Sequence, residues 1–406
     1  MLILSSSCPL LQLDVSIMVA VIRKILQNGR KLLSRRETGI LSAAFFIMVT
    51  VLASKVLGLV RDRMLTGFFG ASREMGVFLA AVEIPDTIFY ILGSAVFSSS
   101  FIPVFTDYLG PDDSNPPEKN PREAKPFCDA WDMGETVLRL ALLVFLLLGG
   151  LIFIFSRPLS RLVAPGFSAA EIGLMSRLVR IMTLAQFFFV LSYFLTSVLQ
   201  SFQRFLLPAL ASLLYNLGVV LGTAVLTPRY GIFGPAWGMV LGSFLHLIIQ
   251  IPLSRSLGLS FRCFWGSLAH PGLERVLKIT IPRALALLGG KLSLIVQVSF
   301  ASLIPTLDSV SNVAVLTLAR HLELLPIGLF GVSFSQAALP ALSRNKSQKK
   351  VGEFKEIFLS SLRKALFFVS PAAIILLVLR IPAVRLAFGA QRFSWKATVL
   401  TGYTVS

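Results

Sequence analysis

Two apolar stretches near the start of the chain carry charged residues where a membrane-spanning helix normally has none. The first stretch ends with Lys55, Arg61 and Asp62, and the second contains Glu83 and Asp86. An ionised side chain at bilayer depth costs roughly 2.5 to 3.5 kcal/mol on insertion scales, so such residues usually face a partner or a watery cavity. The pattern therefore predicts a polar cavity inside a bundle of helices.

The cations of the first stretch fit an anionic ligand. Lys55 and Arg61 are six residues apart, which places them within about 120° of each other around a helix. Guanidinium groups bind phosphate oxygens through paired hydrogen bonds, so this stripe indicates phosphate recognition. Asp62 is positioned to orient Arg61, or to hold it when the site is empty. The alternative is an interfacial charge cluster that only ends the helix.

Two acidic positions in the second stretch predict a gate or an ion-coupling site. Glu83 and Asp86 share one helix face, and Pro85 loosens the backbone between them. As a gate they are expected to pair with Lys55 or Arg61. The alternative is a structural ion pair with the first helix.

A third charged cluster lies in the eighth apolar stretch, which contains Arg320, His321 and Glu323. We expect it to face the Glu83 region across the cavity. Arg320 or His321 is then a ligand-binding cation, and Glu323 belongs with the gating or ion-coupling acids. The alternative role for His321 is that of a hydrogen-bonded core histidine. For His246 the role of a core histidine is the preferred interpretation.

The composition is that of an all-α, polytopic membrane protein. Of the 406 residues, 55% are hydrophobic and only 14% are charged, against about 25% charged in soluble proteins. Nine stretches are long enough to span a membrane: 38–60, 76–105, 134–156, 174–199, 206–226, 231–253, 276–301, 310–342 and 357–379. A tenth begins near Trp395, and since the chain stops inside it, we expect the natural protein to be longer.

The 38 Lys and Arg residues outnumber the 20 Asp and Glu residues, and they are spread among short connections. That distribution follows the positive-inside rule and places the N-terminus in the cytoplasm, whereas a nucleic-acid site needs a dense basic patch. Residues 1–37 are expected to be a cytoplasmic extension whose true start is Met18. The three cysteines, Cys8, Cys128 and Cys263, are too scattered for a disulfide framework or a metal cluster.

An internal repeat predicts two parallel lobes around the cavity. The segment Phe97–Phe105 is echoed by Phe334–Leu342, and an even number of spans between the copies preserves their orientation. Substrate sites of such transporters lie between the halves. We assign 38–255 to the first lobe, 256–275 to a linker and 276–406 to a truncated second lobe.

Ordered motifs along residues 38–406 resemble the MurJ (MviN) lipid II flippases. The motifs are Ser54–Asp62, Phe69–Ala71, Phe97–Val104, Gln200–Ala209, Pro326–Val332 and Leu339–Ser343. The resemblance implies the fourteen-helix fold of the multidrug, oligosaccharidyl-lipid and polysaccharide exporter superfamily. This chain then holds about nine and a half of those helices.

The resemblance also implies roles for single residues. Arg61 and Asp62 match the family's essential arginine and aspartate, and Lys55 stands where many members have a second arginine. The central arginine of the eighth helix falls on His321, or with a shift of one residue on Arg320. Three positions where members often carry Asp, Arg or Glu have lost the charge: Gly76, Phe89 and Ser94.

These expectations define a lipid II flippase that works by alternating access in the cytoplasmic membrane. Its partners are lipid II or a similar polyprenyl-pyrophosphate glycan, the bilayer and, if transport is coupled, an ion. No cofactor, metal or catalytic residue is expected, since the sequence shows no phosphate loop and no nucleophile with a base in reach. The alternatives are an exporter of another polyprenyl-linked glycan or of drugs, and a membrane scaffold that has lost transport.

Overall fold

The computed structural model describes residues 40–109, 121–259, 270–305, 309–331 and 350–405, with Phe334, Ser335, Ala338 and Leu342. The expected extension, residues 1–37, lies outside the described residues. So do the middle of the expected linker and most of the second copy of the repeat.

The long elements of the described ranges are helices. In chain order the α-helices are α1 (Ile40–Phe69), α2 (Arg73–Tyr90), α3 (Ile102–Leu109), α4 (Pro121–Ile154), α5 (Ser156–Val163), α6 (Ala169–Ser201), α7 (Leu206–Tyr230), α8 (Phe233–Ile248), α9 (Ile251–Ser256), α10 (Pro271–Leu303), α11 (Asn312–Pro326), α12 (Val351–Val378), α13 (Arg380–Phe388) and α14 (Trp395–Thr404). Two π-helical segments, Ile91–Phe101 and Ile327–Gly331, extend α2 and α11.

Within the described residues, eight helical segments are long and apolar enough to cross a membrane: Arg73–Leu109, Phe127–Ile154, Ala169–Ser201, Leu206–Tyr230, Phe233–Ser256, Pro271–Leu303, Asn312–Gly331 and Val351–Val378. They match the second to the ninth predicted spans, and the first lies within α1, a continuous helix of 30 residues. The prediction of an all-α, polytopic membrane protein is confirmed.

Polar residues set where several helices begin. The hydroxyls of Ser72 and Ser311 accept hydrogen bonds from amides at the starts of α2 and α11, which satisfies donors that a helix leaves free. Helix α10 begins at Pro271, a few residues before the predicted span. His270 caps it there, and proline fits the first turn because no amide hydrogen is needed at that position.

Glycines bring α7 and α8 into close contact. Gly218 packs on Gly242, and Gly222 packs on Gly238, where an added Cβ would lie 2.2 Å from the Cα of Gly238. Small residues at this spacing let membrane helices approach each other closely. The close contact holds α7 and α8 at a set distance from each other in the first lobe.

Replacement of Gly222 by leucine is therefore expected to lower the melting temperature of the detergent-purified protein. The side chain must push two backbones apart, and overpacking of this kind costs roughly 1 to 3 kcal/mol. Gly173→Leu is the matched control, because an added Cβ at Gly173 meets nothing within 4 Å. Thermal unfolding followed by tryptophan fluorescence measures the difference, and equal melting temperatures would contradict this packing.

The two π-helical segments lie at matching positions of the sequence repeat. The offset of 237 residues that relates Phe97 to Phe334 also carries Ile91 onto Gly328. In the first segment the hydroxyl of Ser100 donates to the carbonyl of Ala95 at 2.7 Å, which satisfies a group in the widened turn. Segments of this geometry often mark functional sites in helices.

The two lobes meet at one end of the bundle, which we call the closed end. The amide of Ser311 donates to the carbonyl of Ala71 at 2.8 Å, and the hydroxyl of Thr66 donates to the carbonyl of Phe388 at 2.9 Å. An added Cβ at Gly76 would lie 1.9 Å from the hydroxyl of Ser311. Members of the family that the sequence resembles often carry a charged residue at the position of Gly76. In this structure the contact with Ser311 leaves no room for a side chain there.

Candidate ligand-binding cavity

A cavity of about 440 Å³ lies between the lobes. Helices α1, α2, α6, α7, α8 and α11 supply most of its wall. Five of the eight predicted site residues line it: Lys55, Arg61, Asp62, Asp86 and His321. The charged stretches of α1, α2 and α11 thus lie together at one polar cavity.

Asp62 joins the two lobes at the inner end of this cavity. Its Oδ1 accepts hydrogen bonds from Arg61 Nε at 2.9 Å and from Arg61 Nη2 at 2.8 Å. Its Oδ2 lies 3.1 Å from His321 Nδ1 on α11, and the whole residue is 8% exposed. We call Arg61, Asp62 and His321 the triad.

Asn216 on α7 holds Arg61 from the other side. Its Oδ1 accepts a hydrogen bond from Arg61 Nη1 at 3.3 Å, and its Nδ2 donates to the hydroxyl of Ser54 at 3.2 Å. The guanidinium is therefore fixed in orientation before any ligand arrives. Asn216 therefore links α7 to α1 through its side chain.

A smaller cavity of about 130 Å³ lies next to the main one and has Glu83 and Thr317 in its wall. All three residues of the triad line both cavities. The triad consequently lies between the two cavities.

A second set of ion pairs ties α2 to α10 and α11. Glu83 Oε1 lies 3.1 Å from Arg320 Nη2, and Glu83 Oε2 lies 3.7 Å from Lys291 Nζ. Lys291 also donates a hydrogen bond to Asp86 and lies 5.1 Å from the ring centroid of Tyr90. We call Glu83, Asp86, Lys291 and Arg320 the tetrad.

The tetrad differs from the predicted pairing. Glu83 and Asp86 pair with α10 and α11, so the expected partners on α1, Lys55 and Arg61, are not the ones found. The physical reason is Lys291, a buried lysine that is 8% exposed and lies closer to the acids. The sequence carries a signal for it, because Lys291 follows two glycines and is the one charged residue between Arg283 and Leu303.

The remaining predicted residues separate into different environments. Arg320 is turned to Glu83 and away from the main cavity, so His321 is the one that reaches the ligand space. Glu323 is exposed and is absent from the cavity wall. Among the described residues, Lys55 has no hydrogen-bond or ion-pair partner, and its side chain is free to meet a ligand.

Aromatic and polar core residues complete the wall. Phe89 packs at ring-centroid distances of 5.0 Å from Phe189 and 4.7 Å from Tyr193, so an apolar surface replaces the arginine that the resemblance leads one to expect. His246 is 3% exposed and lies 2.5 Å from the hydroxyl of Ser192. The interpretation of His246 as a hydrogen-bonded core histidine is confirmed.

Solved structures share this architecture. One described as lipid II flippase MurJ in an inward closed conformation matches with a TM-score of 0.71 and 24% identity over 89% of this chain and 71% of its own. An inward-facing multidrug resistance MATE family transporter of the MOP superfamily matches with a TM-score of 0.64 and 15% identity over 89% of this chain and 79% of its own.

Sequence relatives carry the same name as the first structure. A probable lipid II flippase MurJ of Buchnera aphidicola subsp. Acyrthosiphon pisum is 27% identical over 354 residues, 86% of this chain and 65% of that protein. The lipid II flippase MurJ of Burkholderia cenocepacia is 26% identical over 353 residues, 84% of this chain and 64% of that protein. The chain thus spans about two thirds of the length of these curated relatives.

This bundle of membrane-length helices, with a charged cavity between two lobes, shares the fold of those solved structures. The model of one family, lipid II flippase MurJ, matches residues 65–406. The chain belongs to the MurJ lipid II flippase family, as the motifs of the sequence predict.

Proposed function

We propose that this chain acts as a flippase that moves lipid II, or a similar polyprenyl-pyrophosphate glycan, across the cytoplasmic membrane by alternating access. The observation that carries the proposal is the triad, in which α1 and α11 meet on one buried carboxylate at the inner end of the cavity. The family match and the named relatives support the choice of substrate.

The cavity suits the anionic part of such a lipid. Lys55 lies unpaired at the cavity wall, and Arg61 and His321 stand at its inner end. The pyrophosphate enters with its sugar in the cavity and its tail in the bilayer. It then competes with Asp62 for Arg61 through charge-assisted hydrogen bonds.

Asp62 supplies the release step in this scheme. When the pyrophosphate leaves, the carboxylate recovers Arg61 and His321, so Arg61 does not remain unpaired at the buried inner end of the empty site. This exchange keeps the low-dielectric interior close to neutral in both states, which avoids the cost of an unpaired buried charge.

The tetrad supplies the gate. Any movement of α2 away from α10 and α11 must separate Glu83 from Arg320 and Asp86 from Lys291. A coupled ion or proton acts on these acids if transport is coupled, and Glu323 remains a candidate on the exposed face of α11. The closed end opens only after these pairs separate.

Orientation and location complete the proposal. The basic connections support a cytoplasmic N-terminus, and the family match supports the inner membrane as the location. The two lobes follow the division 38–255 and 276–406. The protein acts on lipid without catalysing a covalent step and without binding nucleic acid.

A non-transporting scaffold is the second candidate, and one observation favours it. Arg61 is paired with Asp62, Arg320 with Glu83, and Lys291 with Asp86, so most cations near the cavity already have acidic partners. A protein built for structural support has no need of a free cation. The unpaired Lys55 argues against the scaffold, because it offers a free cation at the cavity wall.

Binding of lipid II distinguishes the two candidates. Native mass spectrometry of the detergent-purified protein is expected to show bound lipid II. The variant Lys55→Gln, Arg61→Gln, His321→Gln should bind it at least about tenfold more weakly, since charge-assisted hydrogen bonds contribute roughly 1.5 to 3 kcal/mol each.

The matched control is Arg157→Gln, Arg161→Gln, Lys278→Gln, in which three exposed charges outside the cavity are removed. It should bind lipid II as the wild type does. Equal binding by the cavity variant contradicts the proposed site. Absence of binding in all three proteins favours the scaffold.

A further inference from the structure

A third cavity opens on the outer surface of the first lobe. It has a volume of about 670 Å³ and lies between α4, α6 and α8. Its wall is almost wholly apolar and includes Phe145, Leu146, Leu184, Phe187 and Trp237. We call it the lateral groove. None of its lining residues borders the cavity between the lobes.

Two arginines stand in the wall of the lateral groove. Arg177 and Arg180 are three residues apart on α6, so they share a helix face. The guanidinium carbon of Arg177 lies 5.5 Å from the ring centroid of Phe233, and that of Arg180 lies 5.4 Å from the ring centroid of Phe153. Both arginines are exposed.

The ends of neighbouring helices place these arginines near a membrane surface. Arg180 Nε donates to the carbonyl of Phe153 and to the hydroxyl of Ser156, at the junction where α4 ends and α5 begins. Phe233, beside Arg177, is the first residue of α8. Both guanidiniums therefore lie where the helices leave the bilayer, which is the level of lipid headgroups.

We propose that the lateral groove binds an anionic phospholipid, with its phosphate at Arg177 and Arg180 and an acyl chain along the apolar wall. Charge complementarity selects this occupant, because a cationic rim over an apolar groove matches an anionic headgroup over a hydrocarbon chain. Within the described residues, the Nη groups of Arg180 have no hydrogen-bond partner, so they can donate to phosphate oxygens.

Gly150 provides the space for the acyl chain. It lies on α4 in the wall of the groove, and an added Cβ there meets nothing within 4 Å. A leucine at this position fills the groove without changing its charge. It also removes a glycine from a helix interior, where glycine is unfavourable, so the fold is expected to tolerate it.

Native mass spectrometry with added phosphatidylglycerol or phosphatidylethanolamine of matched acyl chains tests the site. The wild type is expected to retain phosphatidylglycerol preferentially. Arg177→Gln with Arg180→Gln should weaken that binding about tenfold and abolish the preference. Gly150→Leu should weaken retention of both lipids.

Two controls separate the lateral groove from other sites. Arg157→Gln with Arg161→Gln removes two exposed charges on α5, outside the groove, and should leave the preference intact. The variant of Lys55, Arg61 and His321 should also keep it, since the proposed lipid II site is separate.

The proposal is overturned if the Arg177 and Arg180 variant holds phosphatidylglycerol as tightly as the wild type, or if the α5 variant loses it equally. It is also overturned if the wild type shows no preference, or if the groove is covered in a dimer that excludes lipid.

Discussion

Removing the charge of Glu83 is expected to destabilise the protein by about 3 to 5 kcal/mol, because Arg320 and Lys291 then lose the carboxylate that they share. Arg320→Gln should destabilise it less, because Glu83 keeps Lys291 as a partner. The double variant Glu83→Gln, Arg320→Gln should lose far less than the sum of the two single variants. A double-mutant cycle on the free energy of unfolding in detergent measures this coupling.

The control for this cycle is Glu323→Gln, which removes an exposed charge from the helix that carries Arg320. It should unfold like the wild type, because an exposed charge contributes little. Additive losses from the two single variants would show that Glu83 and Arg320 do not depend on each other.

Transport is expected to fall at least tenfold in Arg61→Lys, although the charge is preserved. Three nitrogens of the Arg61 guanidinium donate to Asp62 and Asn216, and an ammonium cannot reproduce that planar arrangement. The loss of orientation should also weaken recognition of the pyrophosphate. Translocation of labelled lipid II in proteoliposomes gives the measurement.

Arg63→Lys is the matched control for Arg61→Lys. Arg63 is exposed, lies outside the cavity wall and donates a hydrogen bond to the backbone carbonyl of Leu386, which a lysine also reaches. Its transport rate should stay close to that of the wild type. Equal rates for both variants would support the interpretation of this segment as a charge cluster that only ends the helix.

Much of the bundle follows from the sequence because apolar length and charge position are local properties. The spans could be predicted from length alone, and the charged stretches of α1, α2 and α11 identified the cavity. Their convergence on one cavity could be inferred because buried charges in membrane helices need partners.

The pairing of the charges could not be predicted in the same way. Whether Glu83 faces α1 or α11 depends on the rotation of α2 within the bundle, which close contacts such as that between Gly76 and Ser311 decide. Arg320 and His321 are adjacent in sequence, yet a helix turns about 100° between them, so one binds Glu83 and the other Asp62. Lys291 was the missing partner of the acids.

The pairs between α2, α10 and α11 also constrain how this sequence can drift over generations. If Glu83 is replaced by a positively charged residue, Arg320 faces a like charge. Such a substitution is expected to persist only when residue 320 also changes in the same lineage. Aligned orthologues should therefore vary at 83, 291 and 320 together or not at all. Because these residues are ion-paired inside the bundle, a substitution at one of the three positions is expected to be inherited together with substitutions at the others.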